Sequence, residues 1–244
     1  MNQASVLMDF YNNSNPEGWT HSDGWGFTNC SIPWYGVTCD GASITSIDLS
    51  SNITGTLPAS WSSLVNISEL YLQDNPMLSG TLPSEWSSMI NLQILFLYGN
   101  LKMGGSLPPE WSSMSKITSL HIYQTNVSGV LPSSWSNMTS MEDLRLCNNP
   151  VLSGTLPLEW STMSKLFSLY IYNTNVSGTL PSTWSNLSSM MQLLLNNNPM
   201  LSGTLPPEWS SMSQVLALRI FGTNISGTLP SSWAKMTNVE ELRL

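Results

Sequence analysis

Residues 67–86 read I-S-E-L-Y-L-Q-D-N-P-M-L-S-G-T-L-P-S-E-W. Leu70 and Leu72 alternate with polar and aromatic neighbours, the period of a strand with one face turned inward. Asn75 follows, a residue whose side chain bonds local backbone and closes turns. Gly80 then permits a backbone conformation that a Cβ would obstruct. Pro83 fixes the chain at the start of a short helical turn carrying Trp86. Such a stretch cannot bury its own apolar face, so it must stack on copies of itself. The copies are present. Glycines 55, 80, 105, 129, 154, 178, 203 and 227 recur at spacings of 25, 25, 24, 25, 24, 25 and 24 residues. Each is followed six positions later by a tryptophan: Trp61, Trp86, Trp111, Trp135, Trp160, Trp184, Trp209 and Trp233.

A period in this range with an L-x-x-L-x-L-x-x-N core is the signature of the leucine-rich repeat. The strand pairs are Ile47/Leu49, Leu70/Leu72, Leu95/Leu97, Leu120/Ile122, Leu144/Leu146, Leu169/Ile171, Leu193/Leu195, Leu218/Ile220 and Leu242/Leu244. The expected fold is an α/β solenoid: a right-handed leucine-rich repeat coil with a parallel β-sheet on its concave face and short helical or 3-10 turns on its convex face. Asn75, Asn100, Asn149 and Asn198 mark the 25-residue coils, where they can bond the neighbouring coil; Thr125, Thr174 and Thr223 replace them in the 24-residue coils. The tryptophans, and Met89, Met114, Met138 and Met163 three residues on, are expected to pack inward from the convex side. The chain ends at E-L-R-L inside its ninth strand, so it reads as the N-terminal part of a longer protein, its C-terminal cap absent.

Composition excludes several functions. With 7 Lys+Arg against 15 Asp+Glu, the net charge of the 244 residues is 7 − 15 = −8. That leaves no phosphate-binding surface for nucleic acid and argues against docking on anionic lipid. Hydrophobic residues make up 41%, enough for a core, while only 9% are charged. No apolar run approaches the roughly 18–20 residues of a membrane span, so direct membrane insertion of this segment is not expected. The first ten residues also lack the pattern of a signal peptide.

Residues 1–43 form a separate N-terminal unit and 44–244 the solenoid of about eight repeats. The unit is rich in aromatics and contains Cys30 and Cys39, and an atypical cap is what a solenoid's open first coil requires. A Cys30–Cys39 disulfide would close a short loop and stabilise by about 2–3 kcal/mol, and would favour an extracellular or luminal location; two reduced core thiols are the alternative. Cys147 is left over, at an outward strand position, and reads as a free surface thiol.

The cap, L-M-D-F-Y-N-N-S-N-P-E-G-W followed by C-S-I-P-W-Y-G-V-T-C-D and I-T-S-I-D-L-S-S-N-I-T-G-T-L-P, resembles that of plant-type leucine-rich repeat proteins. These include receptor-kinase ectodomains and polygalacturonase-inhibiting proteins. The body, with V-S-G-T-L-P-S-T-W-S-N-L and L-S-G-T-L-P-P-E-W-S-S-M, resembles the repeats of kinetoplastid promastigote surface antigens. That resemblance implies an extracellular, membrane-anchored surface protein that acts in adhesion and meets a host or neighbouring-cell molecule.

Solenoids present extended concave binding surfaces, and aromatics and Arg are enriched in interface hot spots. The candidate ligand-binding residues are therefore Tyr71, Phe96, His121, Arg145, Tyr170 and Arg219 in one row and Tyr98, Tyr123, Tyr172 and Phe221 in the next. The partner is a protein or glycan; pairing across strands that merely stiffens the sheet is the alternative. His121 is expected at the surface, and Asp143 beside Arg145 and Glu241 beside Arg243 read equally as solvated surface charge. Asn-x-Ser/Thr sequons fall at Asn12, Asn29, Asn52, Asn66, Asn126, Asn137, Asn175, Asn186 and Asn224. Those from Asn52 on are the glycosylation candidates; glycans on the flank and back would leave the strands open. No H-E-x-x-H, Walker loop or G-x-S-x-G occurs, so neither catalytic residues, metal nor cofactor are expected. The reading is a non-catalytic extracellular recognition module, with an enzyme inhibitor or a receptor's ligand-sensing ectodomain as alternatives. Ice binding by Ser/Thr ladders such as Thr81/Thr155/Thr179 is a fourth.

Overall fold

The computed structural model describes residues 3–25 and 33–244. A long sheet holds ten strands in the order β1 (Val37–Asp40), β2 (Ser43–Asp48), β3 (Glu69–Tyr71), β4 (Ile94–Phe96), β5 (Ser119–His121), β6 (Asp143–Arg145), β7 (Ser168–Tyr170), β8 (Gln192–Leu194), β9 (Ala217–Arg219) and β10 (Glu241–Arg243). β1 runs antiparallel to β2, and from β2 onward each strand pairs in parallel with the next. Registers are unbroken along the parallel run, so Leu70, Leu95, Leu120, Leu144, Leu169, Leu193 and Leu218 form one fully buried row. This is the leucine-rich repeat solenoid, with the nine parallel strands where alternation placed them.

The opposite side of each coil is a 3-10 turn, from Ala59–Ser63 to Ser231–Lys235. Every one is entered through an extended proline and closed on the Trp carbonyl, as in Met89 N–H to Trp86 O at 2.8 Å. The tryptophans do point inward. They stack in a file with centroids 6.0–6.5 Å apart and planes within 8°. From Trp86 onward each indole N–H donates to a proline carbonyl of the preceding coil at 2.9 Å. Trp61 opens the file with no coil before it, and its indole nitrogen is unpartnered.

A second set of strands was not foreseen. The S-G-T segments pair between coils into three small parallel sheets: Gly55–Thr56 with Leu78–Thr81 and Lys102–Gly104, Gly129–Val130 with Leu152–Ser153, and Ser177–Thr179 with Met200–Thr204 and Asn224–Ser226. The glycine serves this packing twice. At Gly154 φ is +81°, and a Cβ there would lie 2.7 Å from Val130 Cγ1 of the coil before.

The Asn ladder ties coils together from inside. Asn149 Nδ2 donates to Leu146 O at 2.9 Å in its own coil and to Ile122 O at 2.6 Å in the preceding one, while Oδ1 accepts from Thr125 N and Oγ1. Asn198 repeats this on Ile171, Leu195 and Thr174. Thr in a 24-residue coil thus donates to the Asn of the following 25-residue coil.

The N-terminal cap contains an unforeseen α-helix, Gln3–Asn13, which buries Val6, Leu7 and Phe10. Phe10 meets the Trp61 ring edge-on at 4.8 Å. Cys39 lies half-buried on β1, but Cys30 falls among residues 26–32, outside the described ones, so the cap disulfide stands as an expectation. Asn29 lies there too.

Candidate functional site

The outward positions of the long sheet form rows running along the stack. Strand register aligns Tyr71, Phe96, His121, Arg145, Tyr170, Leu194, Arg219 and Arg243 as one continuous row. Beside it run Tyr98, Tyr123, Cys147, Tyr172, Asn196 and Phe221. All three arginines of the sequence, Arg145, Arg219 and Arg243, lie here. On a chain of net charge −8, this face gathers the guanidinium groups, which suit planar polar partners.

Side chains of successive coils are close enough to organise one another. Tyr71 and Phe96 meet edge-to-face at 5.4 Å; Phe96 stacks on the His121 ring at 4.2 Å and 6°. Tyr98 stacks on Tyr123 at 4.5 Å and 3°. The Arg145 guanidinium lies 4.8 Å above the Tyr170 ring, a cation–π contact. Tyr170 Oη–H in turn donates to Gln192 Oε1. Arg219 reaches Glu241 at 2.7 Å, and Arg243 reaches the same carboxylate at 2.6 Å. Burial raises the pKa of the Tyr71, Tyr98 and Tyr123 phenols, which neighbouring carboxylates reinforce at Tyr71 and Tyr98.

Three expectations are corrected. His121 is not a surface residue: it is 7% exposed, under Phe96 and the flanking tyrosines. Its Nε2 lies 2.9 Å from Asp143 Oδ2. Asp143 is not solvated; it is buried, with Arg145 Nε 3.1 Å from both its oxygens. Burial by itself would raise this carboxyl, but the hydrogen bonds from His121 and Arg145 together outweigh it and hold it at about 2. An ionised carboxylate only accepts, so His121 donates from Nε2. Cys147 is a free thiol but not a surface one, being 2% exposed. Burial pushes it up, against a hydrogen bond with Tyr172. Tyr172 is itself pushed up to about 12, first by burial and then by that thiol. Alternation along a strand could not show the burial of His121 and Cys147, because Phe96 and Tyr172, which cover them, stand on other coils 25 residues away; Asp143 is covered by Arg145 of its own strand and by His121 of the coil before.

A pH dependence follows from Asp143. Its folded pKa lies below the unfolded value, so its stabilisation is complete above about pH 4 and is lost as pH falls toward about 2, where the unfolded chain binds the extra proton. Urea midpoints measured from pH 6 to pH 2 should fall more steeply for wild type than for Asp143→Asn. Parallel slopes would remove Asp143 from the acid response.

Among the described residues, buried polar side-chain atoms without a partner gather on this face: Gln73 Oε1, Ser168 Oγ, Asn196 Oδ1 and Arg219 Nε. The others are Trp19 and Trp61 Nε1 near the cap and Glu241 Oε1, which faces Arg243. Asn196 occupies an outward position of the second row yet is buried. Of the sequon residues, Asn52 is buried and fully engaged: Oδ1 accepts from His21 N, and Nδ2 donates to His21 O. A glycan has no room there. Asn66, Asn126, Asn137, Asn175, Asn186 and Asn224 are all exposed, with Asn126 and Asn175 beside the S-G-T sheets and Asn224 at the start of a strand in one.

No family model matches the sequence, and no curated protein matches it. Solved structures do resemble it. The ectodomain of the receptor kinase GASSHO1/SCHENGEN3 from Arabidopsis thaliana, solved with CASPARIAN STRIP INTEGRITY FACTOR 2, superposes with a TM-score of 0.91 at 24% identity, over 98% of this chain and 29% of that one. The ectodomain of the Arabidopsis receptor kinase HAESA, solved with an IDA peptide hormone, gives 0.71 at 25% identity, over 97% of this chain and 44% of that one. A plant ice-binding protein gives 0.69 at 19% identity, over 98% of this chain and 94% of that one. The chain spans less than half the length of these two receptor ectodomains, and what it shares with all three structures is the leucine-rich repeat fold.

Proposed function

We propose that the chain is a non-catalytic extracellular recognition module that senses a peptide or protein ligand on its concave sheet face. The observation that carries this reading is the convergence on one face of every arginine and of the aromatic rows. These residue types dominate binding hot spots. The HAESA ectodomain, similar in fold, was solved with a peptide hormone, which favours a peptide over a glycan. Surface-antigen-like display in adhesion rests on the repeat resemblance. Glycans on Asn66, Asn126, Asn137, Asn175, Asn186 and Asn224 would coat the flanks and back and leave this face clear.

The test uses Tyr98→Ala, Tyr123→Ala and Tyr172→Ala, each with its folding checked by circular dichroism. Ligands captured by the wild-type chain from a displayed peptide library should bind each variant several-fold to ten-fold more weakly, the weight of an interface aromatic. Undiminished binding by all three would overturn the reading.

A further inference from the structure

The aromatic rows of the long sheet lapse at the coil of Arg145 and Cys147 and again at the coil of Leu194 and Asn196, where only the second leaves small uncharged side chains. Where the preceding coil sets Tyr170 and Tyr172 in the two rows, β8 supplies Leu194, and Asn196 follows it; β9 begins with Ala217. These smaller side chains leave a depression of about 450 Å³ between the tyrosines and the Arg219–Glu241 ion pair, within the roughly 300–1,000 Å³ of ligand pockets. Its floor is apolar at Leu194 and Ala217, yet it also holds a carboxamide. Asn196 is 7% exposed and its Oδ1 has no donor. Such a group costs about 1–3 kcal/mol, and its residue type is not demanded by the fold: Asn149 and Asn198, by contrast, are hydrogen-bonded throughout.

We infer that this depression is an anchor subsite for a peptide, taking one apolar side chain against Tyr170, Tyr172 and Leu194 while a backbone N–H of the same segment donates to Asn196. The chemistry favours a peptide because it joins a donor and an apolar group within one residue. An extended chain also sends alternate side chains to the surface it lies on. The inference rests on the concave-face reading and deepens it by naming where that ligand is gripped.

The probe is a synthetic peptide taken from the sequences most enriched when a random 12-residue displayed library is selected on the wild-type chain, read by fluorescence anisotropy. Ala217→Phe fills the depression from its floor, where Ala217 is half-exposed and leaves room for the ring. Asn196→Leu keeps the size and removes the polar group. Both should weaken peptide binding ten-fold or more, and Asn196→Leu should leave the melting temperature unchanged or raised. A fall in melting temperature for Asn196→Leu would show a structural asparagine and overturn the subsite. So would equal affinity for wild type and both variants; if Tyr98→Ala still weakened binding several-fold, the concave face would stand and only the subsite would fall. Absence of any enriched peptide, or binding of glycans on an array in its place, would overturn the subsite and the peptide reading together.

Discussion

Trp135→Ala is expected to destabilise the chain by about 4 kcal/mol, toward the upper end for single substitutions. Trp135 is fully buried and lies between Trp111 and Trp160, each 6.4 Å away. Truncation opens a cavity as large as an indole, removes two ring pairs worth roughly 0.5–1.5 kcal/mol each beyond burial, and strips Pro108 O of its 2.9 Å donor. Trp135→Phe retains a ring and loses the donor, so it should cost about half as much. Trp233→Ala should cost least: Trp233 has a ring neighbour on one side and remains 6% exposed. Urea denaturation followed by far-ultraviolet circular dichroism measures all three. Equal midpoint shifts for Trp135→Ala and Trp233→Ala would mean that the file of rings adds nothing to burial of each ring alone.

The order of these effects shows which parts of the molecule local sequence can disclose. The strand rows and the inward tryptophans were legible because period two and a fixed repeat are properties of neighbouring residues. The S-G-T sheets were not. Their strands run only two to five residues, and a glycine at positive φ interrupts the alternation that would advertise them. The cap helix was missed because the reading of residues 1–43 rested on its aromatics and cysteines. On the binding face, alternation told which side chains leave the core but not which remain accessible. His121, Asp143 and Cys147 are covered laterally by Phe96, Arg145 and Tyr172. For His121 and Cys147 that depends on which residue an adjoining coil places in the same row, 25 residues away; for Asp143 the pairing with Arg145 is local, but the cover from His121 comes from the coil before. Asn196 is a further case: its place in the repeat separates it from Asn198, which ties two coils, but alternation puts it in the outward row without showing that it is buried there.

Asn149→Ala separates those two kinds of asparagine. The substitution leaves Ile122 O, Leu146 O and Thr125 N without their partner, all in a region where Asn149 is fully buried. At about 1–3 kcal/mol for each orphaned buried group, partly offset by relaxation, the expected loss is about 3–5 kcal/mol. Asn149→Asp should be no milder: it retains the acceptor for Thr125 but replaces both donated bonds with a buried negative charge facing carbonyls. Because stacked coils are stabilised mainly through nearest-neighbour interfaces, the damage falls on the junction between the coils of Thr125 and Asn149. Unfolding should therefore broaden, with the two halves of the solenoid losing cooperativity, where Trp135→Phe shifts the midpoint and preserves its sharpness. Asn196→Leu, made in the same stack, should move stability the opposite way or not at all. If Asn149→Ala and Asn196→Leu lowered the urea midpoint equally, hydrogen bonding by the ladder would not be what joins one coil to the next.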